Sequence, residues 1–162
     1  MAYLRKGFSK ITNIDHWRLT TSFSGGADPI VAAVERDDTQ LANLGTGMDA
    51  PSSGIWTFPS TGFWWVHAKG DTSDVSNAND YINLKIKHTV NDGTDWDAIW
   101  EGVWTSHSAS QRSGSMVSAF LDITDTTQQK ILFAFDSEIS ATKFVSSTTN
   151  RFWFVFVKLS DT

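Results

Sequence analysis

Arg151-Phe152-Trp153-Phe154-Val155-Phe156-Val157-Lys158-Leu159 is the stretch from which the fold is read. In an extended chain successive side chains point to opposite faces. Phe152, Phe154 and Phe156 therefore share one face, and Trp153, Val155, Val157 and Leu159 share the other. A strand that is apolar on both sides belongs in the middle of something and is covered twice. One cover is the chain's own second sheet, and the expected second cover is a neighbouring subunit.

The same period of two runs through the rest of the chain, and no segment carries a helical 3.6-residue stripe. From Asp80 to Val90, Ile82, Leu84, Ile86, His88 and Val90 alternate with Asn83, Lys85, Lys87 and Thr89, which describes an antiparallel strand with one wet face. Further strands are expected over Trp17–Phe23, Ile30–Val34, Ile55–Phe58, Gly62–Lys69, Ala98–Thr105, Met116–Ile123 and Lys130–Phe135. Loops rich in Gly, Ser, Thr, Asn and Asp separate them, at 43–54, 70–80, 91–97, 106–115 and 136–150. Many short strands at this spacing predict an all-β antiparallel sandwich or barrel. The expected organisation is an N-terminal arm, residues 1–16, ahead of one domain, residues 17–162.

Composition narrows the function. Among 162 residues there are eight Trp and eleven Phe but only two Tyr, more aromatic surface than a small domain usually hides alone. The net charge of −5 lacks the dense basic stripe that nucleic-acid binding needs. With no cysteine there are no disulfides, no thiolate chemistry and no Cys-ligated zinc. No apolar run approaches the ~20 residues of a membrane span. Met1 to Gly7 lacks the apolar core of a signal peptide, so synthesis in a cytosol is expected.

Catalytic and cofactor motifs are not found. His16, His67, His88 and His107 lie far apart without metal-ligand spacing, and there is no nucleophile elbow, P-loop or dinucleotide fingerprint. A non-enzyme without cofactor is expected. The one metal motif is Asn91-Asp92-Gly93-Thr94-Asp95-Trp96-Asp97, where Asp92, Asp95 and Asp97 offer hard oxygens of the kind Ca²⁺ takes. The competing reading is a plain β-turn, which prefers the same residues.

Gly54-Ile55-Trp56-Thr57-Phe58-Pro59-Ser60-Thr61-Gly62-Phe63-Trp64-Trp65-Val66 resembles the globular C1q/TNF-like module, with Phe58-Pro59, Gly62 and the aromatic Trp64 at its motif positions. Asn150 to Thr162 is similar to the module's terminal aromatic strand, and Phe120-Leu121-Asp122-Ile123 to its strand before a polar turn. The resemblance implies a jelly roll of about ten strands that forms a homotrimer, with Phe63, Trp65, Phe152, Phe154 and Phe156 as candidates for the trimer interface.

The chain has no Gly-X-Y stalk. It looks more like compact versions of the module in tailed-bacteriophage virions, and Ile14-Asp15-His16-Trp17-Arg18-Leu19-Thr20 looks like the starts of small structural proteins of marine phages. That likeness implies a virion location and a capsid decoration protein or head-fibre knob. The partner would be the major capsid protein or another virion protein, held by an arm carrying Arg5, Lys6 and Lys10. The alternative is the receptor- or glycan-binding tip of a tail fibre, with Trp96, Trp100 or Trp104 stacking on sugar faces. Packing of those tryptophans in the core or the trimer is the preferred reading, because they alternate in strands. A secreted ligand of the TNF type is a third possibility.

Overall fold

The computed structural model describes residues 10–39, 41–73, 79–106, 112–138, 143–144 and 150–162. The described residues form strands and turns with no helix. The strands are β1 Asn13–Leu19, β2 Phe23–Ser24, β3 Val34–Arg36, β4 Ile55–Thr57, β5 Gly62–Ser73, β6 Asn79–Thr89, β7 Asp97–Ser106, β8 Ser113–Ile123, β9 Lys130–Ser137, β10 Lys143–Phe144 and β11 Phe152–Ser160. The strand expected over Trp17–Phe23 ends at Leu19, Phe23 begins the two-residue β2, and the two-residue β10 is one that alternation in the sequence does not reveal.

They build two antiparallel sheets packed face to face, as a jelly-roll sandwich requires. The larger runs β8-β5-β11-β1-β3, with β10 pairing β5 beyond the end of β11 and β2 pairing β10. The smaller is β4-β9-β6-β7. The terminal strand β11 lies between β5 and β1, hydrogen-bonded along both edges. Its apolar character matches this central place.

Its two faces, however, meet different surroundings. Phe152, Phe154 and Phe156 are 1%, 1% and 0% exposed and point into the space between the sheets. Phe154 packs on Phe133 of β9 with ring centroids 4.6 Å apart, and Phe156 on Trp56 of β4 at 4.9 Å. Trp17 meets Trp56 edge-on at 5.2 Å. Phe152 joins a second cluster with Phe23, Phe135 and Phe144. Offset and edge-on contacts of this kind add to the area that each ring removes from water. These three phenylalanines are therefore core residues of one chain, which corrects their expected place at the trimer interface.

The expected boundary at residue 16 also moves. Asn13 to His16 belong to β1, paired with β11, and Asn13 and Asp15 are buried. The reason is a side chain that the alternation hides. Asp15, fully buried, accepts hydrogen bonds from the Trp17 Nε1–H at 2.7 Å and the Met48 backbone N–H at 2.6 Å. It also forms an ion pair with Arg36 of β3, Oδ1 to Nε 2.8 Å. The guanidinium lies 5.1 Å from the Trp17 ring centroid and donates to the Met48 carbonyl. A Cβ on Gly47, whose φ is +72°, would come within 2.6 Å of both Asp15 Oδ2 and Arg36 Nη2, so the loop closes over the pair only with glycine there. The strand expected at Ile30–Val34 starts only at Val34, where β3 pairs with β1.

Candidate functional site

The outward face of the larger sheet carries the side chains that the core leaves over. Strand register places them in three rows, because residues paired across an antiparallel ladder point to the same side. Ile14, Val157, Trp65 and Phe120 form one row across β1, β11, β5 and β8. His16, Val155, His67 and Ser118 form the next. Arg18, Trp153, Lys69 and Met116 form the third. Phe120 is 75% exposed, Met116 56% and Phe63, further along β5, 45%. Trp65, Trp153, Val155 and His67 are half-buried by one another.

The rings on this face are held in place. Trp65 donates from Nε1 to Ser118 Oγ at 2.5 Å and lies over His67, centroids 5.4 Å apart and 23° from parallel. His67 in turn contacts Trp153 at 5.0 Å. Charges sit at the margin: Arg18 is ion-paired with Glu35, and Lys69 with Asp71 at 3.1 Å. Beside β1 and β11 the face dips into a groove of about 220 Å³ walled by Leu41, Trp153 and Val155, with His16, Asp37 and Asn150 at its polar side.

A second apolar surface lies where the edges of the two sheets cross. Trp100, Gly102 and Trp104 of β7 share the side of Ile86, Leu84 and Ile82, their cross-strand partners on β6. A Cβ on Gly102 would stand 2.2 Å from the Met116 carbonyl oxygen, so β8 lies directly against this glycine, and Ser115 Oγ donates to the Gly102 carbonyl. The strand covers the glycine and leaves its neighbours open: Trp100 and Trp104 are each 54% exposed. Packing inside one chain thus does not account for these two tryptophans. Contiguous apolar surface of this kind marks a site of interaction.

Of the expected trimer contacts, Phe63 and Trp65 lie on the outward face and the three phenylalanines of β11 do not. Arg5 and Lys6 lie outside the described residues, and Lys10 is exposed ahead of β1. The 91–97 segment folds as a turn, the reading that competed with a calcium site. In the 91–97 turn Asp92 is ion-paired with Lys130, and Asp95 Oδ2 accepts from Asn91 Nδ2 at 2.9 Å while Asn91 Oδ1 accepts the Asp95 N–H at 3.0 Å. Asp97 pairs with His88 in register on the adjoining strands. Among the described residues no three His, Cys, Asp or Glu are placed to hold a metal ion. Trp96 packs over Gly93 in the same turn. Sequence reading missed the Asp15–Arg36 pair and the Gly102 crossing, because each joins residues that no local period connects.

No family model matches this sequence, and no curated protein sequence matches it. Solved structures do. The Eiger TNF of S. frugiperda superposes with a TM-score of 0.70 at 14% identity over 94% of each chain. Murine APRIL, in a crystal structure at pH 5.0, gives 0.66 at 13% identity over 93% of this chain and 100% of its own. A second murine APRIL structure, at pH 8.5, gives 0.65 at 12% identity, over 91% of this chain and 98% of its own. At such identities the likeness is one of fold, and the fold is a TNF-like jelly roll.

Proposed function

We propose that this chain is a non-enzymatic, self-assembling structural protein: a homotrimer in which the β7/β8 edge of one copy packs on the outward aromatic face of the next. The observation that carries this reading is the pair of apolar surfaces on one molecule, Trp100 and Trp104 at the β7 edge and Trp65, Val155, Trp153, Met116 and Phe120 on the outward face. Two unlike patches that fit each other make a head-to-tail contact, and such contacts close into rings. The resemblance read in the sequence supports three copies. Sedimentation equilibrium tests it: a trimer of 18.0 kDa chains runs at about three times that mass, and a single 18.0 kDa species at micromolar concentration overturns it.

The role we propose for the trimer is decoration of a tailed-bacteriophage capsid, or the knob of a head fibre, reached after synthesis in the host cytoplasm. Attachment would use the residues ahead of β1, among them Arg5, Lys6 and Lys10, against an acidic shell. Such a protein works by adding contact area, which needs no catalytic groups. Deleting residues 1–12 is expected to leave the trimer intact and abolish its binding to particles, and capsid binding by the truncated trimer would refute the anchor. A receptor- or glycan-binding tip is the second reading, favoured by the exposure of Trp100 and Trp104. Glycan-dependent quenching of tryptophan fluorescence in the assembled protein, lost in Trp100→Ala, would decide for it.

A further inference from the structure

His67 stands in the middle of the outward face, and no carboxylate is its cross-strand neighbour. Its cross-strand partners are Val155 on β11 and Ser118 on β8. Trp65 and Trp153 lie against its ring. On the far side of Val155 the next side chain in the row is another histidine, His16 of β1. The Nδ1 atoms of both imidazoles are buried without a hydrogen-bond partner.

The charged groups around them are accounted for element by element. On β5 the neighbour on the same face is Lys69, bound to Asp71. On β1 it is Arg18, bound to Glu35 of β3. Beyond β3, the Asp37 carboxylate at the groove accepts from the Asn150 side-chain amide. On β8 the only carboxylate of the face, Asp122, is paired with Phe63 in register, two rows from His67. On β11 the facing residues are Trp153, Val155 and Val157, all uncharged.

From this arrangement we propose that self-association through the aromatic face is pH-switched, with protonation of His67 releasing the subunits in mildly acidic solution. The inference rests on the head-to-tail assembly proposed above. In the free subunit an imidazolium is tolerable, because water reaches one side of the ring and two indole faces attract the charge. In the assembly a neighbour's apolar edge replaces the water. The cation–π attraction is then present in both states, while the cost of removing the charge from water is added only in one. Burial already pushes the His67 imidazole below its ordinary value in the single chain, and covering it moves it further the same way. A difference of one pKa unit between free and assembled subunits is a factor of about ten in association for each copy. Association is therefore full above the ordinary imidazole value of about 6.5 and weakens as the pH falls below it, through the lowered value of His67 in the free subunit.

Sedimentation velocity of the full chain at pH 7.5 and 5.5, at constant ionic strength, tests this. The expected result is a trimer at pH 7.5, an apparent dissociation constant at least about tenfold weaker at pH 5.5, and recovery on return to pH 7.5. His67→Phe and His67→Gln are expected to remove most of the pH dependence, and His88→Gln, on the other sheet, to keep it. Monomer at both pH values overturns the assembly itself. A trimer equally tight at both overturns the switch alone, and an unchanged pH dependence in both folded His67 variants overturns its assignment to this histidine.

Discussion

Replacing Arg36 with methionine is the sharpest test of how β1 is held in the sheet. Met fills much of the aliphatic stem's place but leaves the Asp15 carboxylate, fully buried, without its counter-charge. Two donors remain on Oδ2, the Trp17 indole and the Met48 amide, so the carboxylate is hydrogen-bonded on one oxygen only. Removing one partner of a buried pair costs about 3–5 kcal/mol, and the lower end applies because the Arg36 side chain is itself 35% exposed and water enters where it leaves. The lost cation–π contact with Trp17 acts in the same direction. For a chain of 162 residues, about 3 kcal/mol corresponds to a fall in Tm of about 6–12 °C. The measurement is thermal unfolding by circular dichroism at pH 7.5 and fixed protein concentration, since association adds to apparent stability. The double variant Asp15→Asn with Arg36→Met keeps an acceptor for both N–H donors and removes the stranded charge, so it should regain a substantial part of the loss. A fall of less than about 2 °C in the single variant would refute the reasoning.

Phe154→Ala removes a phenyl ring from the centre of the core and should cost about 3–5 kcal/mol, read as a lower denaturation midpoint. Phe120→Ser is expected to leave the fold's stability within about 0.5 kcal/mol, because the ring is 75% exposed, while weakening self-association in sedimentation. Gly102→Val should fail differently, spreading β7 from β8 where the Cβ meets the Met116 carbonyl, and lowering Tm by several degrees. Folding stability should be highest above about pH 6.5 and decline as the pH falls toward 5, since burial lowers the His88 imidazole, with Asp97 opposing in part, and the unfolded chain then binds the proton more readily. His88→Gln should flatten that acid limb in urea titrations at pH 7.5 and 5.5, and an unchanged slope would count against the assignment.

The strands were legible because a period of two is a property of the chain alone. Ile82, Leu84 and Ile86 announce one buried face of β6, and all three are buried. What alternation cannot supply is direction when both faces are apolar. On β11 it separates Phe152, Phe154 and Phe156 from Trp153, Val155 and Val157, but either set satisfies a hydrophobic interior. The choice falls to the smaller sheet, which brings Trp56 and Phe133 against the phenylalanine side and turns the tryptophan side outward. The interaction surface inherits that decision, and the sequence reading placed three core rings in it for this reason.

Distance along the chain hid the rest. Asp15 and Arg36 sit 21 residues apart, and their pairing depends on β3 lying beside β1. Trp100 and Trp104 look like core residues because they alternate as core residues do, and they share a side with Ile86 and Ile82. They stay exposed because the opposing sheet ends at β8, whose backbone reaches only Gly102 between them. The sequence by itself determined that this protein is an antiparallel sandwich with more aromatic surface than one core uses, since side-chain alternation and composition are local quantities. Only the tertiary structure decided which rings are surplus, because burial depends on what the second sheet covers.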